Sequence, residues 1–460
     1  MRTASRYNLT EGGIANKLLF VAMPLIGTSV IQMTYNLTDM FWLGRLSSDA
    51  VAATGIVGLF LWMSFAFQLI GRMGAEIGVS QSLGKGDKGK AQSYAQNAIL
   101  TSLLIGTAVA LIYIFARVPL IGLFGIEEVH VARYAQDYLA IVSMVFPLFF
   151  LTSAISGVFN GAGNSRMSLK INAVGLVLNM VLSPIFIFPL GLGVVGAAIA
   201  TVIAQSAAAI VAIVSLLKHK SRPFEDIKFI LVPNVDIIKQ IFKWVLPISV
   251  ESFFFTLLTM IATGFIAYFG AGALAAARVS NQLESLTWLV AGGFGSALTA
   301  FVGQNFGAKK WNRILRSFKI SSAMMIAWGA MVGLLLFFGA RALVTLFIPD
   351  DPEVVALGAT YLQILAIGQI PGCLEGVAGG LFRGRGKTIP PSVVSISSNV
   401  SRVILAYILA FHTPLGLNGI WIAMSAGMVL RGMGQYIWYL IDMRGLPKED
   451  EPATVIQVEG

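Results

Sequence analysis

The stretch Phe159-Asn160-Gly161-Ala162-Gly163-Asn164-Ser165 is matched later in the chain by Phe382-Arg383-Gly384-Arg385-Gly386-Lys387-Thr388, at a constant offset in residue number (382 − 159 = 223). Two further matches have the same offset: Gln81 with Gln304, and Pro24 with Pro247. Separated matches at a single offset indicate an internal repeat, in which the second half of the chain repeats the plan of the first. The sequence therefore predicts two related lobes of about equal length.

The composition of the chain indicates that lipid is its solvent. Of its 460 residues, 56% are hydrophobic and only 12% are charged, whereas soluble domains have about 25% charged residues. A soluble fold of this size has no place for so much apolar surface. The net charge of +10 comes from basic residues in short loops between apolar runs. That distribution is typical of membrane proteins and argues against a nucleic-acid partner.

Twelve apolar runs are long enough to cross a membrane, since a spanning helix needs about 20 residues. The predicted fold class is an all-α membrane protein with twelve transmembrane helices in two pseudo-symmetric six-helix bundles. The predicted organisation is an N-lobe over 1–217, a cytoplasmic linker over 218–239, a C-lobe over 240–443 and a cytoplasmic tail over 444–460. The predicted spans are 17–44, 51–83, 96–116, 131–159, 168–190, 194–217, 240–268, 273–306, 316–339, 354–382, 389–411 and 416–443.

Positive charge is distributed unequally between the two sets of loops. Lysine and arginine are concentrated in the loops that share a side with the termini, for example in 85–90 and 383–387. Loops rich in these residues stay in the cytoplasm, so we expect both termini to be cytoplasmic and the chain to be multi-pass in the inner (plasma) membrane. Residues 1–10 lack the layout of a signal peptide, so we expect the first apolar run to be a true span.

Two halves with six spans each enter the membrane from the same side and form parallel repeats. Such repeats are related by an axis along the membrane normal. They predict a cleft between two bundles that opens to one side of the membrane at a time, as in transporters that work by alternating access.

Asp39 is an ionisable residue inside the first predicted span, with no basic residue near it in that span. Charged groups in a spanning helix cost several kcal/mol, at least about 3, and persist when they pair, face water or have a function. We expect a proton or a cation to neutralise Asp39. Asn172 and Asn179 lie on one face of the fifth span, and with Thr201 they would supply oxygen ligands for Na⁺ or hydrogen bonds to Asp39. The alternative for all three is hydrogen bonding between helices.

The second lobe has acidic residues of its own. Glu251 lies one turn after Pro247, and Glu375 lies in the tenth predicted span. Arg402, in the eleventh span, is expected to pair with Glu375 or Glu251, either as a structural ion pair or as part of a polar cavity that binds a cation or proton. Glu284, with Gln282 beside it, would line the cleft.

Two further expectations concern single residues. Arg431 is expected to extend its side chain to the cytoplasmic end of the last span. Pro24 and Pro247 lie within equivalent spans, where proline removes a backbone hydrogen bond and kinks the helix. Each kink is either a hinge or a static bend, as is common in membrane helices.

These motifs together resemble the multidrug and toxic compound extrusion (MATE) family, over about residues 14–443. The resemblance is carried by Pro24 and Asp39 and by the segments Ser80–Asp87, Phe159–Gly163, Asn281–Ser285 and Val302–Ala308. It implies secondary antiport, in which organic cations or lipophilic drugs leave in exchange for H⁺ or Na⁺.

The resemblance also implies roles for particular residues. Asp39 and Asn179 match ion-coupling positions of the family, with Na⁺ as one candidate ligand, and Glu251 and Glu375 look like second-lobe acids of the NorM-like branch. Ser183 stands where the DinF-like branch has a second aspartate, so the chain mixes features of both branches.

The predicted cargo is a flat, lipophilic cation held by Met33, Tyr35, Phe253 and Trp288 in the cleft, although each of these side chains would equally suit plain packing. A flippase of lipid-linked oligosaccharides is the alternative, and it would need cationic residues to hold a diphosphate. An enzyme is not predicted, because the three histidines lie near loops without a nucleophile or metal spacing. We expect no cofactor other than the coupling ion, and a monomer.

Overall fold

The computed structural model describes residues 7–126, 128–218, 232–445, Pro447 and Asp450, without the side chains of Asn36 and Ser48. Most of the predicted linker and tail lie outside these residues. The chain is 87% helical, and the described part contains no strand. The predicted all-α class is therefore confirmed.

The described part of the first half of the chain contains eight helices. They are α1 (Ile14–Leu46), α2 (Ser48–Gly84), α3 (Lys88–Phe115), α4 (Arg117–Gly122), α5 (Val129–Ser143), α6 (Phe146–Gly161), α7 (Ser165–Ile187) and α8 (Gly193–Lys218). Eight helices follow in the second half: α9 (Val235–Tyr268), α10 (Ala271–Gly307), α11 (Trp311–Phe338), α12 (Ala340–Thr345), α13 (Pro352–Ala366), α14 (Gln369–Gly384), α15 (Ile389–Phe411) and α16 (Leu417–Met443).

The helix bounds repeat as the sequence motifs do. The bounds of α2 to α6 and those of α10 to α14 differ by the offset of the sequence motifs, so the repeat holds for five consecutive elements. Gly163, with φ +80°, is matched by Gly386, with φ +73°, because both tight turns need the left-handed backbone that glycine adopts readily. The equivalent of Gly86 (φ +78°) is Lys309 (φ +55°), the sole non-glycine residue with positive φ in the described ranges.

Nine single helices of the described chain are long and apolar enough to cross a membrane, and two bent pairs bring the number to eleven. The bent pairs are α5 with α6, at 50°, and α13 with α14, at 51°. Helix α16, with 27 residues, is long enough to cross but is not among these apolar helices. With it the spans number twelve. The sequence predicted 131–159 and 354–382 each as a single span, and the structure shows that each is broken near its middle. Pro147 lies in the first turn of α6, where a missing N–H costs nothing.

The chain divides into two compact units. Unit 1 comprises Met1–Leu9 and Phe20–Ser249, and unit 2 comprises Thr10–Leu19 and Val250–Gly460. The division falls inside α9, which, like α1, runs on through its proline. The predicted lobe boundary at 218–239 stays a prediction.

Glycines bring the helices of each unit into close contact. A Cβ at Gly157 of α6 would meet the backbone carbonyl oxygen of Arg72, and one at Gly161 would lie 2.6 Å from that of Glu76. The equivalent Gly380 of α14 contacts the carbonyl oxygen of Gly295 on α10 in the same way. Small residues four apart let membrane helices approach to backbone contact, so they fix which residues of α2 and α6, or of α10 and α14, face each other.

Candidate functional site

A cluster of polar side chains lies among the helices of unit 1. The Tyr138 hydroxyl, from α5, donates a hydrogen bond to Asp39 Oδ2 at 3.2 Å. One turn before Asp39 on α1, the Tyr35 hydroxyl donates to Thr201 Oγ1 at 3.1 Å, and Asn179 Nδ2 donates to the same oxygen at 3.3 Å. The structure thus brings Asp39, Asn179 and Thr201 into one neighbourhood, linked through two tyrosines.

The cluster has more acceptor oxygens than donors. Asp39 Oδ1 and Asn179 Oδ1 are both buried without a hydrogen-bond partner, and Asn179 is fully buried. No ion pair to Asp39 exists within the described ranges. Buried polar atoms normally have partners, and oxygens of carboxylate and amide groups are the ligands of hard cations. The arrangement can accept a proton on Asp39 or a small cation between these oxygens.

A cavity of about 320 Å³ opens beside this cluster. The described residues of its lining combine aromatic and aliphatic side chains with three amides and three hydroxyls, and none of them is charged. The lining residues are Ile31, Gln32, Tyr35, Leu61, Trp62, Ser64, Phe65, Val142, Val145, Phe146, Phe149, Asn172, Gly175, Leu176, Thr201, Gln205 and Ala208. Tyr35 and Thr201 therefore join the cluster to the cavity. Asn172 lines the cavity but donates to the Ser168 carbonyl oxygen at 2.8 Å, and Met33 is not part of the lining.

Unit 2 pairs its tenth-span acid with a different arginine from the one predicted. Glu375 Oε2 lies 2.7 Å from Arg431 Nε, while Arg402 donates to Thr259 Oγ1 at 3.3 Å. The predicted pairing of Arg402 with Glu375 or Glu251 is wrong, and so is the placement of Arg431 at the helix end. Gly432 explains the difference, because a Cβ there would meet the Pro371 carbonyl oxygen. Helices α14 and α16 touch at this point, which places Arg431 opposite Glu375.

The other second-lobe candidates have neutral partners. Glu251 Oε2 accepts from the Ser392 hydroxyl at 2.8 Å, and Glu284 Oε1 accepts from Trp288 Nε1 at 2.8 Å. The Trp288 ring also lies 5.1 Å from the Arg431 guanidinium, so this ring is engaged within unit 2. Gln282 contributes its backbone carbonyl to Ser285 at 2.6 Å, and Phe253 is 48% exposed.

Sequence reasoning missed two tyrosines that the repeat itself could have revealed. Tyr138 and Tyr361 are related by the repeat offset and lie on the equivalent helices α5 and α13. Both are buried and both donate to a polar residue in a spanning helix: Tyr138 to Asp39, and Tyr361 to Asn281 Oδ1 at 2.5 Å. A polar residue retained at equivalent positions of both halves was the available signal.

A family model described as MatE matches residues 24–185 and 247–408, two ranges whose bounds differ by the repeat offset. The two halves of the chain thus each carry the family pattern. A protein with this fold and this match is a membrane transporter and not an enzyme, as predicted. The chain belongs to the MatE family, which confirms the resemblance.

Curated relatives match over nearly the whole chain. It is 25% identical over 432 residues to the probable multidrug resistance protein NorM of Thermotoga maritima, covering 93% of this chain and 92% of that relative. It is 24% identical over 431 residues to the probable multidrug resistance protein YoeA of Bacillus subtilis (90% and 92% covered). It is also 23% identical over 470 residues to the multidrug export protein MepA of Staphylococcus haemolyticus (100% and 100%).

Solved structures show the same fold. A MATE crystal structure in the bent conformation has a TM-score of 0.87 at 22% identity, covering 97% of this chain and 98% of that one. The outward-facing conformation of a multidrug resistance MATE family transporter of the MOP superfamily has a TM-score of 0.88 at 22% identity, covering 98% and 99%. The two-bundle arrangement of twelve helices is that of these transporters.

Proposed function

We propose that the chain is a secondary antiporter that exports lipophilic organic cations and drugs in exchange for H⁺ or Na⁺ by alternating access. Multidrug resistance and export proteins among its relatives support the cargo class. The proposal also has the chain act as a monomer in the plasma membrane, with both termini in the cytoplasm.

The observation that carries the proposal is the Asp39 carboxylate. It lies in a spanning helix, its one hydrogen bond to a described residue is from Tyr138, and its Oδ1 atom is buried without a partner. Burying a carboxylate without a cation is costly, so an acid without a basic partner is suited to bind and release a small positive ion. An acid held in a permanent ion pair has no such freedom.

Coupling requires that the ion bind the two conformations of the transporter with different affinity, since only differential binding shifts an equilibrium. Asp39 and Tyr35 are one turn apart on α1, and Tyr35 both bonds to Thr201 and lines the cavity. Neutralising Asp39 would change the hydrogen bonds of this turn and therefore the shape of the cavity. The prolines Pro24 of α1 and Pro247 of α9 are the proposed hinges.

The cavity in unit 1 suits a flat, apolar cargo. Trp62, Phe65, Phe146 and Phe149 supply aromatic surface beside Tyr35, and aromatic faces attract organic cations by about 0.5–2 kcal/mol each. Phe253, Trp288 and Met33 stay proposals as cargo contacts, with Gln282 and Glu284. Coupling roles for Asn172, Glu251 and Glu375 also stay proposals. The role of Glu375 would be the smaller one, because Arg431 already neutralises this acid.

A flippase of lipid-linked oligosaccharides is the second candidate. It would need unpaired cationic groups in a large cavity to hold a diphosphate. Among the described residues, none that lines the 320 Å³ cavity is charged, so Arg72, Arg402 and Arg431 all lie outside its lining. These observations favour the drug antiporter.

The test is ethidium transport by the purified chain in proteoliposomes, under an imposed pH gradient and, separately, under an imposed Na⁺ gradient. Transport driven by one gradient identifies the coupling ion. Transport under neither gradient contradicts the antiport proposal. Movement of a fluorescent lipid-linked sugar between leaflets, without ethidium transport, would support the flippase instead.

A further inference from the structure

A second, smaller cavity of about 30 Å³ lies in unit 1 among α1, α2, α6, α7 and α8. Polar side chains dominate its lining, and Arg72 is the single charged residue among them. The lining residues are Leu25, Thr28, Gln32, Gln68, Arg72, Phe149, Thr152, Ser153, Ser156, Asn160, Ser168, Asn172 and Gln205. Glu76, one turn beyond Arg72 on α2, is not part of the lining.

The Nε nitrogen of the Arg72 guanidinium is buried and lacks a partner among the described residues. No ion pair joins Arg72 to a described residue. Arg72 as a whole is half-buried, arginine keeps its charge in proteins, and withdrawing a charge from water is costly unless it is paired or hydrogen-bonded. A positive charge that faces a polar cavity without a counter-charge is a feature of an anion site.

Two more unpaired donors line the same cavity. Ser156 Oγ and Asn160 Nδ2 are buried without a hydrogen-bond partner, and their residues are 6% and 1% exposed. The Ser168 hydroxyl lies 2.7 Å from Asn160 Oδ1, which occupies the acceptor end of that amide and leaves its NH₂ group for another partner. A guanidinium, a hydroxyl and an amide NH₂ are all groups that can donate to one anion.

Unit 2 shows which residues occupy the positions equivalent to those of this cavity. By the repeat offset, the equivalents of Arg72, Asn160 and Thr152 in unit 2 are Gly295, Arg383 and Glu375. Arg383 Nη2 lies 3.3 Å from the position of a Cβ built on Gly295. Unit 2 therefore also has a guanidinium beside the position equivalent to Arg72, but it comes from α14, whereas Arg72 belongs to α2.

The counter-charge is where the two units differ. In unit 2 the carboxylate of Glu375 lies on the same helix as Arg383, α14, and forms its ion pair with Arg431 of α16. Unit 1 has the hydroxyl of Thr152 at the position of this carboxylate. The negative charge that the chain itself supplies in unit 2 is therefore replaced in unit 1 by a neutral, hydrogen-bonding group.

We propose that this cavity, defined by Arg72, Ser156 and Asn160, binds one small monovalent anion of chloride size. A volume of about 30 Å³ holds a halide ion or two or three waters, and it is too small for a phosphate or for a drug. Gln32, Phe149, Asn172 and Gln205 line both cavities. The anion would thus lie next to the larger cavity and make its occupancy dependent on chloride, whatever the cargo is.

Chloride binding to the full-length protein in detergent is measured by ³⁵Cl NMR line broadening, with gluconate as the replacement anion. The parent protein is expected to broaden the line saturably. Arg72→Gln should abolish the effect, and Arg72→Lys should restore it in part. Arg117→Gln is the matched control, because Arg117 lies in unit 1 outside both cavities and donates to the Ile114 carbonyl oxygen at the end of the preceding helix, α3, at 2.6 Å.

Ser156→Ala gives a second, milder variant that keeps the charge of Arg72. It removes one donor and is expected to weaken chloride binding about tenfold. Bromide anomalous diffraction from crystals of the parent should place a peak within hydrogen-bond distance of Arg72. Three results would each overturn the site: no saturable broadening by the parent, broadening by Arg72→Gln that equals that of the parent, or bromide peaks that all lie away from Arg72.

Discussion

Asp39 in unit 1 and Glu375 in unit 2 are both carboxylates in spanning helices, yet their surroundings are opposite. Glu375 is held by Arg431 at 2.7 Å, whereas Asp39 has a tyrosine hydroxyl as its partner. The repeat preserved the backbone and its helix contacts while the charges were distributed differently. An acid with an internal cation contributes to a fixed structure, and an acid without one is available to an external ion.

The largest effect is expected from breaking the ion pair of unit 2. Glu375→Gln leaves the Arg431 guanidinium buried without a counter-charge, which costs about 3–5 kcal/mol of folding free energy. Thermal unfolding in detergent measures the loss. The double variant Glu375→Gln/Arg431→Gln should regain part of it, and Glu251→Gln, whose partner Ser392 is neutral, should lose about 1 kcal/mol. Unfolding of Glu375→Gln at the parental temperature would contradict a structural role for the pair.

The next effect concerns the two equivalent tyrosines. Tyr138→Phe removes the hydrogen bond to the Asp39 carboxylate, a charge-assisted bond of about 1.5–3 kcal/mol. We expect the initial rate of ethidium export under a fixed ion gradient to change at least about tenfold. Tyr361→Phe is the matched variant in unit 2, where the partner is the neutral Asn281, and its rate should stay near that of the parent. Equal rates for both variants would show that the asymmetry has no role in transport.

The smallest effect is expected at the glycine contacts between helices, which both units have. Gly157→Ala and Gly380→Ala place a methyl group against a backbone carbonyl of the facing helix, and each should lower the free energy of unfolding by about 1–3 kcal/mol. Gly55→Ala is the control, since its Cβ meets no atom within 4 Å. Similar losses at Gly157 and Gly380 would confirm that the helix crossings are equivalent. A loss at only one would show that the repeat in sequence does not extend to packing energy.

The sequence predicted the spans and the repeat because both depend on composition and spacing along one chain. Asp39, Asn179 and Thr201 could be grouped because each is a polar residue in an otherwise apolar run. The break between α5 and α6 could not be predicted from hydropathy, since both parts are apolar and the chain stays helical on either side.

The partner of Glu375 was beyond a sequence argument for a different reason. Arg402 and Arg431 were both available, and the choice between them depends on which helices touch. Gly432 lets α16 reach the backbone of α14 at Pro371, and this contact selects Arg431. Hydropathy places a residue along the membrane normal, but it does not determine which way the helix faces its neighbours.

We propose that the carboxylate of Asp39 couples ion movement to transport. This proposal is tested most directly with Asp39→Asn in proteoliposomes, by comparing ethidium exchange without an ion gradient and ethidium accumulation driven by one. Asp49→Asn is the control, because Asp49 is an exposed acid of unit 1 paired with His130 at 2.9 Å. We expect Asp39→Asn to retain exchange and to lose accumulation, and Asp49→Asn to retain both. Accumulation by Asp39→Asn at the parental level would contradict the proposal.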